Sequence, residues 1–165
     1  MKSLAPFVAA IPMLAAAAGA QVVPGVFGHT VTGRNGTAGE FCWSFDCTPR
    51  PLAIVGGETL TLRVNAPYQA IFAVGASFGA TRCAPVPGLR NMLVLDPTIV
   101  ILGAGAVTGT SPILACWGGY EQLALVLPPG LPTGLTLATQ AVAEVPDPFA
   151  GTQFSFSVAT LLTVQ

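Results

Sequence analysis

Few residues in this chain are suited to chemistry. Gly75-Ala76-Ser77-Phe78-Gly79 matches Gly-x-Ser-x-Gly, the turn on which hydrolases hold a nucleophilic serine above a parallel sheet. Such an elbow must open a helix, and the Ala-Thr-Arg-Cys-Ala-Pro run after Gly79 cannot start one. The serine also needs a base, yet the only histidine, His29, precedes it, whereas the hydrolase order puts His last. The motif reads first as a glycine-flexed hairpin turn, with a serine hydrolase on Ser77 as the third functional reading. Gly103-Ala104-Gly105 after an apolar run imitates a dinucleotide loop, but Pro112 follows soon after and no helix opens. A β-turn is expected there.

Seven acids are present: Glu40, Asp46, Glu58, Asp96, Glu121, Glu144 and Asp147. Two of them could form a glycosidase pair, but their spacing nominates none and contains no Asp-x-Asp calcium pattern. Asp96 and Asp147 each precede Pro and read as turn setters. Cys42 and Cys47 stand at zinc-ligand spacing, but Cys83 and Cys116 are far apart and no His accompanies them. No metal and no cofactor is expected. The four cysteines read instead as two disulfides, for which three connectivities exist. Close spacing favours Cys42–Cys47, around Trp43 and Asp46, with Cys83–Cys116 tying two strand ends.

Flat aromatic rings give the better binding signal. An exposed ring stacks on the C–H face of a pyranose, so Trp43, Trp117 and Tyr120 are the candidate ligand-binding residues for a polysaccharide. Phe41, Trp43 and Phe45 share one side if their segment is extended. The competing expectation is core packing, since such rings bury large areas.

These residues must be positioned by an unusual chain. Of its 165 residues 52% are hydrophobic and only 8% charged, against roughly 25% in an average domain. That excludes an electrostatic nucleic-acid binder, which needs clustered Lys and Arg. It also excludes a disordered tail. Lys2, the apolar run Leu4–Ala18 and the small residues Ala18-Gly19-Ala20 read as a signal peptide over 1–20, cleaved before Gln21. The run is too short for a spanning helix and is interrupted by Pro6 and Pro12. Residues 21–165 then form one domain with no transmembrane segment. Every basic residue in it is arginine.

Nineteen Gly and fifteen Pro break the chain too often for long helices. Leu60, Leu62 and Val64 alternate with Thr61 and Arg63, the period of a half-buried strand. The longest alternating run is Leu135–Val145, with Leu135, Leu137, Thr139, Ala141, Ala143 and Val145 on one face. Short strands at 26–32, 69–75, 92–95, 99–102, 113–117, 121–127 and 154–160 complete the pattern. The fold class is all-β, a single β-sandwich of Ig-like or Greek-key architecture. It is not a true immunoglobulin domain, because Trp43 directly follows Cys42 and no Tyr lies two before Cys83 or Cys116.

From Gly56 onward the chain also carries Gly-Gly-Glu-Thr-Leu-Thr-Leu at 56–62, Cys83 ahead of Met-Leu-Val-Leu-Asp-Pro at 92–97, and Leu-Pro-x-Gly-Leu at 131–135. Thr-Gln-Ala-Val follows at 139–142, and Phe-Ser-Phe-Ser at 154–157. These segments resemble a family of secreted Gly/Pro/Leu-rich domains of planctomycete-type bacteria. The family has an aromatic-Ala-Gln-Ala segment and a later Ser-Asn strand. This chain has Thr139-Gln140 and no Asn after Ser157. The resemblance implies a secreted sandwich and carries over no catalytic residue.

The expected protein is a secreted, non-enzymatic sandwich, extracellular or in the cell envelope, with a structural or surface-interaction role. Its partner would be an envelope protein or a polysaccharide. A carbohydrate-binding module is the second reading.

Overall fold

A computed structural model describes residues 27–42, 47–110, 117–147 and 151–165. It is an all-β sandwich of two sheets that do not close into a barrel. The signal-peptide region, Trp43 and Cys116 lie outside the described residues.

The first sheet is built on β4 (Thr59–Asn65), whose alternating Leu60, Leu62 and Val64 all face the core. On one side it pairs with β1 (Gly28–Gly33), which turns through Arg34-Asn35 into β2 (Gly36–Glu40). On the other side it pairs with β11 (Gly119–Val126), which meets the two-residue β10 (Gly109–Thr110).

The second sheet is built on the long strand β12 (Thr136–Asp147). One edge of β12 pairs with β5 (Ile71–Ser77), and β5 with β9 (Val100–Ala106). Its other edge pairs with β13 (Gly151–Phe156) and then β14 (Thr160–Val164), which run on as one strand with a one-residue slip at 157–159. Outside these, β3 (Arg50–Ile54) lies parallel to β14, and β7 (Leu89–Arg90) parallel to β13. Between the sheets pack Val31, Leu60, Leu62, Val64, Phe72, Val74, Ala141, Val145 and Leu162.

Residues 78–99 leave the end of β5 and fold back over the outer face of the second sheet. They carry β7 and the small pair β6 (Ala84–Pro85) and β8 (Met92–Leu93). Val94 and Leu95 are thereby buried. A cavity of about 200 Å³ between this segment and the sheet is lined by Val86, Leu93, Ile99, Ile101, Val142 and Phe156. The middle of the second sheet, around Gln140, is therefore covered on both faces, which alternation alone did not indicate.

Gln140, 3% exposed, holds that cover in place. Its Oε1 accepts the Val94 amide at 2.9 Å. Its Nε2 donates to the carbonyls of Met92 at 2.9 Å and Ser157 at 2.8 Å. Opposite it, Ser157 Oγ accepts the Ala141 amide at 3.0 Å, filling the place of a strand carbonyl at the slip.

Two expectations are corrected. The disulfide joins Cys47 to Cys83, with a sequence separation of 36 and Cα atoms 5.6 Å apart. Cys42–Cys47 and Cys83–Cys116 are thus not the pairing, and Cys42 is bonded elsewhere. The physical reason is that β2, before Cys42, and β3, after Cys47, belong to different sheets. Meanwhile the covering segment carries Cys83 back to β3. By chain entropy a loop of this size contributes about 4 kcal/mol. The second correction concerns Gly103 and Gly105, which lie inside strand β9 and form no turn. A Cβ on Gly103 would stand 2.6 Å from Leu123 Cδ1 of the facing sheet, so glycine there permits close sheet approach.

Replacing Gln140 by Ala strands two carbonyls and an amide under the cover, and is expected to cost about 3 kcal/mol of unfolding free energy. Denaturant titration checks this. A loss under about 1 kcal/mol would show that water replaces the side chain without penalty.

Candidate functional site

Strand β9 pairs with β5 until Ala106, and the chain then changes sheets. Val107 exchanges backbone bonds with Gln69 and Ala70, and β10 joins β11. Glu121 pins this crossing by accepting the Thr108 amide at 3.0 Å and its hydroxyl at 2.7 Å. Those two bonds hold the Glu121 carboxyl below its usual range. The two sheets are thus joined at one end of this side and diverge toward the other.

The divergence opens a cleft of about 220 Å³. Val100 and Leu102 of β9 form one wall, and Leu125, Leu127 and Pro128 the other. Leu137 and Leu162 are also in its lining, and among the described residues its only polar side chains are the hydroxyls of Ser77, Thr98 and Thr139. At the mouth, Phe78 is 68%, Val100 58% and Val126 69% exposed. No Asp, Glu, Lys, Arg or His occurs from Pro97 to Tyr120. The apolar run Ile99–Leu102 carried the signal for this edge. It read as a short apolar strand, and the sequence pattern did not indicate that this strand stands at the rim of an open side.

The hydrolase residues are not assembled. Ser77 Oγ donates to the Gly79 carbonyl and accepts the Asp96 amide at 3.2 Å. Asp96 in turn accepts the Thr81 amide at 3.1 Å and hydroxyl at 2.6 Å, bonds that lower its carboxyl pKa. The Gly-x-Ser-x-Gly segment therefore anchors the start of the covering segment. His29 lies fully buried on β1 and bridges the sheets. Its Nδ1 donates to the Arg63 carbonyl at 3.3 Å, leaving Nε2 to accept from Thr139 Oγ1 at 3.0 Å.

The described aromatic candidates are covered. Trp117 is 9% exposed and belongs to the core cluster. Tyr120 on β11 is half-buried, and its ring is covered by the Arg63 guanidinium, 4.3 Å from the centroid. The same guanidinium lies 6.0 Å from the Phe41 ring, and its Nε donates to Asn65 Oδ1 at 2.8 Å. Trp43 lies outside the described residues. Trp117 and Tyr120 thus offer no shared open platform for a sugar. Among the described residues no group of three or more His, Cys, Asp or Glu side chains could hold a metal ion.

Comparison with known protein families and with curated proteins finds no match for this chain.

Burial lowers the His29 pKa from 6.5 to about 4, partly opposed by its bond to the Arg63 carbonyl. Between those values the unfolded chain takes up a proton that the native protein refuses. Stability is therefore full above about pH 6.5 and falls as pH drops toward 4, by up to about 3 kcal/mol. Denaturant titrations across that window should show the loss, and His29→Gln should flatten it. An equal slope in both proteins would assign the effect to other groups.

Proposed function

We propose that this chain is an exported, non-enzymatic β-sandwich that acts by surface interaction, in the cell envelope or outside the cell. The observation carrying this reading is the open side of the sandwich. Its apolar cleft has no ionisable lining, and Phe78, Val100 and Val126 crowd its mouth. A catalytic pocket needs at least one group that can exchange a proton, coordinate a metal or attack; an apolar groove whose Ser77 and Thr139 hydroxyls are already hydrogen-bonded supplies recognition by burial instead.

The compartment is supported independently. The Cys47–Cys83 disulfide fits an oxidising environment, and the N-terminal sequence has the charge, apolar run and small residues of an export signal. Among the described residues no helix is long and apolar enough to cross a membrane. Attachment to the envelope would then rest on contact with another molecule.

Fractionation of the native cells tests this. The protein should begin at Gln21 and be retained with envelope material. The double substitution Phe78→Ser, Val126→Ser should shift most of it to the soluble fraction while leaving its melting curve unchanged, because both side chains face solvent. A chain retaining Met1 in the cytoplasm would overturn the reading.

A further inference from the structure

We infer that the partner for this open side is a second copy of the chain, joined edge to edge through antiparallel pairing of β9 with itself. This deepens the reading above by naming the occupant.

Among the described residues β9 hydrogen-bonds only to β5, so its other edge offers an unpaired row of amides and carbonyls. Proteins usually guard such an edge with lysine, proline or inward charge. This strand has none of these, and Val100 and Ile101 are 58% and 60% exposed. A neutral edge attracts no charged partner in particular and does not repel its own copy.

The side-chain sizes are self-complementary. Reading Ile99–Ala106 gives four large residues, Ile-Val-Ile-Leu, followed by four small ones, Gly-Ala-Gly-Ala. Antiparallel pairing centred between Leu102 and Gly103 sets Ile99 against Ala106, Val100 against Gly105, Ile101 against Ala104, and Leu102 against Gly103. Every large side chain thereby meets a small one across the interface.

The irregularity in β9 fits the same register. Pairing with β5 slips between Val74 and Gly75, leaving Leu102 as an extra residue. Bulges commonly blunt an edge by turning side chains to the wrong face. Here Val100 and Leu102 line the cleft, and Gly103 faces Leu123, so all three lie on the core side. Ile99 and Ile101 line the outer cavity, and Ala104 is paired with Ala73 of that same cavity. With the slip at the centre of symmetry, the two copies' slips coincide and each pair keeps both members on one face. A register shifted by one residue would put core-side residues opposite outer ones.

The exported chain with its disulfides intact should sediment as a monomer–dimer equilibrium between about 1 and about 200 µM. Ile101→Lys places a charge on the edge at an exposed position and should raise the dissociation constant at least about tenfold. Phe154→Lys, exposed on the far side of the same sheet, should leave it unchanged. For the register, an Ile101→Cys chain mixed with an Ala104→Cys chain should crosslink, while either alone should not. A monomer at every concentration, a dimer indifferent to Ile101→Lys, or efficient crosslinking of Ile101→Cys alone overturns the inference. A monomer still retained in envelope material would sink self-pairing but spare the interaction role. A dimer free in the cytoplasm would do the reverse.

Discussion

The Gln140 side chain holds together parts of the molecule that backbone pairing cannot. Its strand, β12, faces a partner that slips by one residue, and a slip leaves ladder groups without matching partners. Ser157 Oγ supplies the Ala141 amide, and the Gln140 carboxamide bonds the Ser157 carbonyl, so the local deficit is closed by side chains. The same carboxamide then reaches Val94 and Met92 in the covering segment. A primary amide suits this position because it donates and accepts at once; a carboxylate would face two carbonyls. The defect in one strand and the roof over the sheet are thus satisfied by one buried group.

Covering the outer face of the second sheet leaves the molecule asymmetric. The roof ends at Asp96-Pro97 and delivers the chain directly into β9, so β9 arrives as the last strand of its sheet. Two residues beyond Ala106, Thr108 is pinned by Glu121 to the opposite sheet. One strand cannot remain on both sheets, and where it leaves the second for the first the layers are tied together. Farther back along β9, among the described residues, no hydrogen bond joins it to the opposite sheet, and the cleft opens beside Val100 and not beside the fully buried Val107.

Alternation made the strands that are half-buried in the usual way legible. Leu60, Leu62 and Val64 pack inward as expected, and Thr139, Ala141, Ala143 and Val145 line the core face of β12. Alternation failed where a strand is buried on both faces or exposed at a rim. Gln140 shows no periodic signal, because its partners lie 46 and 48 residues back in the covering segment. Gly103 and Gly105 read as a turn because glycine usually marks flexibility, whereas both lie within a strand and Gly103 marks a close approach to Leu123. The disulfide escaped for a related reason. Cys42 follows a strand of one sheet and Cys47 precedes a strand of the other, an arrangement set by topology, not spacing. Trp117 stood out as a rare aromatic beside two glycines, yet it serves the core.

The few charges help explain why the edge at β9 is unguarded. Glu58 accepts the amides of Arg34 and Val55, tying the first hairpin to the turn before β4. Glu40 and Arg50 pair across the crossing from β2 to β3, and Arg90 and Asp147 pair where β7 lies beside β13. Asp96 closes the covering segment, and Glu121 closes the sheet crossing. In each case a charged group satisfies a turn or a change of sheet, where backbone groups lack ladder partners. With so few charges in the chain, these contacts use most of its acids, and none stands on β9. An edge strand left apolar in this way carries no electrostatic means of refusing another strand. What it accepts is then decided by shape, and the shape that four large residues followed by four small ones match most closely is their own reverse.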